Sequence, residues 1–441
     1  MKSSRNLLIA AIVLAALSGV VWWSKKHPPT TETNTPATTS PKLIEAPDAQ
    51  IQSIDLTKKG AATVALQRQS GKWAITSPEP LTADQDAVSS LISSLNPLTA
   101  DSVVEDKATD LTKYGLKTPS LTVAIHEKNG KSDQIAFGDD VPAGSLVYAQ
   151  LNNGSKVYAV SSSTKSSFDK TANDLRDKRL LTFNQNAVTR IELISKKGDI
   201  EFGKNNQNEW QIVKPQPYRA DNFQVEELLR KLTEAKMDLT GTAEDAKKQA
   251  TAFSTGDPPE TVTVTDAAGT QTLEVRKNKD DYYAKSSVVP GIYKVSSDLG
   301  KGVGKTLEDF RNKKIFDFGF SDPTKIEVRQ GTTDKIFVRT GTDWKLNGKT
   351  MDAGSVQGLI DKLRDLAATK FVTSGFTTAD ITFGVTSNDA KRIEKASFAK
   401  TADGYVAQRE NEPSLYQLDA KTVNDILEAA NAIKPAASAK K

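Results

Sequence analysis

Residues 84–95 read DQDAVSSLISSL: an aspartate, then apolar side chains at Val88, Leu91, Ile92 and Leu95. The i, i+3, i+4, i+7 spacing places those four on one face of an α-helix, and Asp84 stands where a helix needs an N-cap. The pattern returns as DNFQVEELLRKL at 221–232, with Val225, Leu228, Leu229 and Leu232. It returns again as DAGSVQGLIDKL at 352–363, with Val356, Leu359, Ile360 and Leu363. A tryptophan precedes each copy, at Trp73, Trp210 and Trp344. Ahead of each tryptophan, by 19, 19 and 18 residues, begins an apolar-acid-apolar run: Ile54-Asp55-Leu56, Ile191-Glu192-Leu193 and Ile326-Glu327-Val328. Recurrence at one register indicates three copies of a folding unit of about 135 residues, each large enough to bury a core of its own.

Within the first copy, Ile54–Leu56 and Thr63–Leu66 are short strand candidates around a Lys58-Lys59-Gly60 turn. Trp73 and Ile75 alternate on a third strand that Pro78 and Pro80 end, and a helix is expected from Gln85 to Leu95. Leu121, Val123 and Ile125 alternate on another strand, with further strands near Gln134–Phe137, Val147–Gln150 and Val157–Val160. A closing helix is expected over Thr164–Leu175. The second copy keeps this order. Tyr148-Ala149, Tyr158, Leu175-Arg176-Asp177-Lys178 and Phe183 reappear 135 residues on as Tyr283-Ala284, Tyr293, Phe310-Arg311-Asn312-Lys313 and Phe318. The third copy is degenerate and keeps Ala407 and Tyr416 at the same separation. Strands, one helix, more strands and a closing helix define an α+β class with mainly antiparallel sheet.

The chain has 441 residues, 59 of them basic and 55 acidic, so charge gives no case for nucleic acid. It has no cysteine, which excludes disulfides, thiolate metal sites and cysteine nucleophiles. It has only two histidines, His27 and His126, the first in a low-complexity stretch, which gives no case for a histidine-based triad or a multi-histidine metal site.

Residues 7–23 are uncharged and mostly apolar, with Lys2 and Arg5 before them and Lys25 and Lys26 after. As a helix at ~1.5 Å per residue the segment spans about 25 Å, near the lower limit for a bilayer. Trp22 and Trp23 stand at its end, where aromatic belts form. A signal peptide cut after Ser18 is the rival reading. The apolar run continues past that point, so an uncleaved signal-anchor is expected. This gives a cytoplasmic N-terminus at 1–6, a transmembrane helix at 7–23 and a Pro/Thr-rich tether at 24–50. Repeats follow at 51–183, 184–318 and 319–434, and a disordered tail at 435–441. The expected location is a bacterial inner membrane, single-pass, with the C-terminal region in the periplasm.

These features resemble the bacterial family known as domain of unknown function 4340. The matching residues are Trp73-Ala74-Ile75 with Pro78 and Asp84, then Tyr114-Gly115-Leu116-Lys117-Thr118-Pro119, Tyr148-Ala149, Val157-Tyr158-Ala159-Val160 and Leu175-Arg176-Asp177-Lys178. Residues 51–320 match well and the last repeat loosely. The second copy puts Phe253 to Pro259 where the first has its Tyr-Gly-Leu run. The resemblance implies a membrane-anchored envelope protein associated with exporters of the ABC type. It brings no catalytic residues.

Several motifs invite chemistry. Gly300-Lys301-Gly302-Val303-Gly304-Lys305-Thr306 looks like a phosphate loop, but the position that loop needs as its first glycine is Leu299. It is expected to be a glycine-rich turn before the closing helix. Ser162-Ser163-Thr164-Lys165 has the serine-x-x-lysine spacing of penicillin-binding enzymes, without a Lys-Thr-Gly partner. Asp139-Asp140 and Asp280-Asp281 are paired carboxylates suited to calcium or glycan cleavage, yet neighbours on a strand face opposite ways. The tryptophans could stack on sugars, but their fixed distance from the helix favours core packing. Arg176-Asp177-Lys178-Arg179 is expected to be a solvated helix end, with docking at a repeat junction as the other reading. No catalytic, cofactor-binding or metal-binding residue and no cofactor is assigned. The expected function is a non-enzymatic scaffold or accessory subunit of a membrane complex, held in the bilayer by 7–23 and meeting a membrane-protein partner. The alternative is a periplasmic protein that binds a glycan or peptide in grooves between repeats.

Overall fold

The computed structural model describes residues 40–142, 144–320 and 323–437. The expected transmembrane helix at 7–23 lies outside them. Among the described residues, no helix is long and apolar enough to cross a membrane. One compact unit ends at Asp177 and a second begins at Lys178.

The first unit holds a nine-stranded sheet in the order Leu81–Thr82, Lys72–Ser77, Val64–Gln69, Ile51–Lys58, Leu121–Glu127, Ser132–Asp140, Leu146–Leu151, Val157–Ser161 and Ser102–Glu105. Every pairing is antiparallel. Alternate residues bury Ile54, Leu56, Leu66, Trp73, Ile75, Val123, Ile125 and Phe137 on one face. Helix Gln85–Ser93 covers that face with Val88, Leu91 and Ile92, capped by the Asp84 carboxylate, which accepts from the Asp86 and Ala87 amides. The helix ends two residues earlier than expected, yet Leu95 is fully buried just beyond it.

The second unit carries two further sheets. The eight-stranded one runs Tyr218–Arg219, Trp210–Lys214, Ile200–Lys204, Arg190–Ile194, Glu260–Asp266, Gly269–Asn278, Asp281–Ser286 and Ile292–Val295. The nine-stranded one runs Lys349–Thr350, Asp343–Leu346, Thr333–Thr340, Lys325–Gln330, Ile381–Ser387, Arg392–Thr401, Gly404–Arg409, Leu415–Leu418 and Lys370–Val372. Eight strands therefore share one order in all three sheets. The third copy, degenerate in sequence, has the full nine strands. The second lacks the ninth, and helix Ala243–Ser254 runs beside its edge strand instead.

Helices Asn222–Glu234 and Ala353–Asp365 bury their four stripe residues each and are capped by Asp221 and Asp352. Trp73, Trp210 and Trp344 are 5 %, 3 % and 6 % exposed, so the rings are core and offer no sugar platform. The side chains that follow the caps also tie down the tryptophans. Gln85 Oε1 accepts from the Trp73 amide at 2.9 Å, and Asn222 Oδ1 from the Trp210 amide at 2.8 Å.

Several boundaries differ from expectation. Residues 41–50, assigned to the tether, belong to the first unit: Lys42–Ile44 pairs with Leu98–Thr99, and Leu43, Ile44 and Ala46 are buried. Leu180, Leu181 and Phe183 fill the second core, and Ile315, Phe316 and Phe318 the third. The repeats thus change over near 178 and 313, because these apolar residues are buried by the sheet that follows them. The first closing helix is two helices, Ser162–Phe168 and Ala172–Leu175, because Thr171 and Asp174 form a capping box that starts the second. Pro435, expected in a frayed tail, bridges Met351, and the Ala436 amide donates to the Thr350 carbonyl.

Candidate binding surface

The residues singled out for chemistry have structural roles. The Gly300–Thr306 run is a helix, Ser297–Val303, followed by a break, and not the turn expected of it. In the serine-lysine motif, Ser162 donates to the Ser145 carbonyl at 2.9 Å and Lys165 to the Gly138 carbonyl at 3.3 Å. The two are thus engaged separately. Asp139 and Asp140 end a strand, with Asp139 against Gly115, while Asp281 pairs with Lys294 at 2.8 Å. His126 lies on the first sheet with Ser132 at 2.8 Å and Asp55 at 3.7 Å. No group of three or more metal-ligating side chains occurs among the described residues.

The Tyr114-Gly115-Leu116 run explains itself through packing. Tyr114 and Leu116 bury Ala136 and Val157 on the face of the first sheet opposite the main core. The Tyr114 ring meets Tyr148 edge-on at 4.9 Å, and its hydroxyl donates to Glu105. Gly115 has φ +67°, and a Cβ there would lie 2.8 Å from the Asp139 backbone nitrogen. In the second sheet Phe253, on the inserted helix, packs under Arg276 at 5.0 Å, and a Cβ on Gly256 would lie 2.8 Å from the Lys277 carbonyl. Strand register makes Arg276 the counterpart of Gly138. Two different segments therefore cover one strip of the outer face.

The third sheet is covered there only in part: Ala399, the counterpart of Gly138, is fully buried and Gly375 lies over Val406, while Ser397 in the next row is partly exposed. Between Val372 and Ile381 only eight residues are available for cover. Ser397, the register counterpart of the buried Ala136, lines a groove of about 650 Å³ with Arg329, Phe376, Thr382, Lys395 and Gln408. The groove is polar, and its floor is the outward row of three adjacent strands.

A buried charge network holds the second and third sheets together beside this groove. Arg219 contacts Glu412 at 3.0 Å, the Tyr416 hydroxyl at 3.1 Å and Asp317 at 3.6 Å. Burial works against the Arg219 charge, but the Tyr416 hydroxyl and the Glu412 carboxylate outweigh it and hold its pKa above the ordinary value. Arg409 bridges Glu412 at 3.2 Å and Glu394 at 3.0 Å. The Arg311 guanidinium is sandwiched between Tyr218 at 4.1 Å and Phe371 at 3.5 Å, and donates to Ser414 at 3.0 Å. Arg311 is the counterpart of Arg176 in the run read as a solvated helix end. In the second copy that residue is a junction residue, 9 % exposed. Its signal was present in the 135-residue displacement, but Tyr218, Phe371 and Ser414 stand 93, 60 and 103 residues away in the chain.

The fold defines a class: an α+β protein of tandem antiparallel sheets, each with one face under helices. Residues 73–209 and 210–383 both match the family model described as Domain of unknown function (DUF4340). Each match begins on the core tryptophan. The chain belongs to this family. No curated protein and no solved structure matches it.

Proposed function

We propose that this protein is a non-enzymatic scaffold or accessory subunit of a membrane complex, anchored by residues 7–23 with its sheets in the periplasm. The observation that carries the reading is the polar groove on the outer face of the third sheet. The first two sheets pack their Tyr114 and Phe253 segments on this face, while the shorter segment of the third covers Ala399 and Val406 and leaves Thr382, Ser397 and Gln408 lining a groove. The Arg219–Glu412–Arg409 network keeps the strands around it fixed, so a partner would meet a preformed surface. An exporter of the ABC type is one such complex.

Pull-down of the full chain from gently solubilised membranes tests this. A membrane-protein partner should co-purify in fixed ratio with the natural chain and be lost from a Ser397→Arg, Gln408→Arg variant with an unchanged circular dichroism spectrum. Repeated absence of any partner, or the same yield from the variant, would overturn the reading. Placement is tested by an alkaline phosphatase fused after Lys441, which is active only outside the cytoplasm; an inactive, intact fusion would contradict it.

A peptide in the groove is the second reading. Phe376 beside Thr382, Ser397 and Gln408 offers one apolar contact among hydrogen-bonding groups. This groove lies on one sheet.

A further inference from the structure

One end of the second sheet's core departs from the other two. Strand register aligns Glu260 with the buried Leu121 of the first sheet and the buried Ile381 of the third. The same register puts Val275 where the others have Phe137 and Phe398. At the last position of the following helix, Val303 replaces Phe168, which stacks on Phe137 at 6.2 Å in the first sheet. Two phenyl rings are missing, and a carboxylate stands at an apolar position.

The outcome is a pocket of about 400 Å³, lined by Lys197, Asp257, Glu260, Lys277, Tyr282 and Lys301. Two glycines of the run that resembles a phosphate loop clear its wall. A Cβ on Gly300 would lie 2.0 Å from the Tyr282 ring, and one on Gly304 would lie 2.7 Å from the Glu260 carboxylate. Glu260 is half-buried, and burial pushes its pKa up against the pull of Lys197. Lys197 stands 3.8 Å away, beyond hydrogen-bond reach, and donates instead to the Gly304 carbonyl. Among the described residues nothing donates a hydrogen bond to Glu260. A half-buried carboxylate facing a pocket without a protein donor is free to accept a hydrogen bond from a ligand. Once Lys197 and Glu260 offset each other, Lys277, Lys301 and Asp257 remain as two positive charges and one negative.

We propose that this pocket binds a small zwitterion with more carboxylates than ammonium groups, of the acidic amino-acid or short acidic-peptide class. The ligand ammonium donates to Glu260 and lies near Asp257, while its carboxylates meet Lys277 and Lys301. This site stands apart from the third sheet's groove and from the scaffold reading.

Titration calorimetry on the full chain in detergent, with the dipeptide alanyl-glutamate as probe, tests it. The dipeptide should bind. N-acetylation of the probe and Glu260→Gln should each weaken binding at least tenfold. Glu260→Leu, which installs the first sheet's residue type, should raise Tm and abolish binding. Lys301→Ala, at an exposed position, should keep the fold and weaken binding severalfold. No binding of the dipeptide would overturn the assignment. So would equal affinity for the acetylated probe or in Glu260→Gln, or displacement by equimolar inorganic phosphate, which would mark a plain anion site.

Discussion

Trp210 shows what a single repeated side chain does. Its ring is 3 % exposed, its Nε1 donates to Glu226 at 2.7 Å, and Lys204 lies over it at 4.8 Å. Trp210→Ala leaves a cavity and should cost about 3–5 kcal/mol in denaturant unfolding. A loss below about 1 kcal/mol would show an exposed ring and a different role. Glu201 tests electrostatics at the same scale. Arg190 at 2.7 Å, then Lys214 at 2.6 Å, hold its pKa down to about 2. A carboxyl depressed on folding stabilises above the unfolded value of about 4.3, and that contribution is lost as pH falls toward 2. Glu201→Gln should therefore flatten the acid limb of stability between about pH 4 and 2 while leaving its shape above pH 5 unchanged. An unaltered limb would exclude the pair as its source. Such residues as Trp210 and the capping aspartates were legible in the sequence because their partners lie within about 16 residues. Arg219 was not, since Glu412 is 193 residues away.

Among the elements, the segment 112–119 depends on one small residue across from it. A Cβ on Gly138 would stand 2.0 Å from the Tyr114 carbonyl, a backbone atom that cannot swing aside. Gly138→Ala should lift this cover, costing about 1–3 kcal/mol and raising amide hydrogen exchange across 108–118 with the main core unchanged. Unchanged exchange would show that the contact is slack. Strand and helix periodicity gave most elements, because alternation and the 3.6-residue stripe are local. The helix Ala243–Ser254 and the divided closing helices were missed despite a local signal. Thr171–Asp174, Thr242–Asp245 and Thr306–Asp309 each spell a capping box. The strand at Lys42–Ile44 had no such signal, since it is defined by Leu98–Thr99 more than fifty residues on.

At the scale of the molecule, the second and third sheets share one compact unit through buried charge. Removing one partner strands the rest: Glu412→Ala leaves Arg219 and Arg409 under-compensated, a change that costs about 3–5 kcal/mol when such pairs are buried. Residues 178–441 should unfold in one step in the natural chain and in two in the variant. A single transition at the old midpoint would mean that the network holds nothing.

The groove on the outer face of the third sheet is the claim on which the functional account turns. Photo-crosslinking amino acids placed singly at Thr382, Ser397 and Gln408, and at His126 and Thr263 on the outer faces of the other sheets, test it in intact cells. The account predicts one common adduct from the three third-sheet positions and none from the other two. Adducts of equal yield from all five positions, or none from the third sheet, would contradict it.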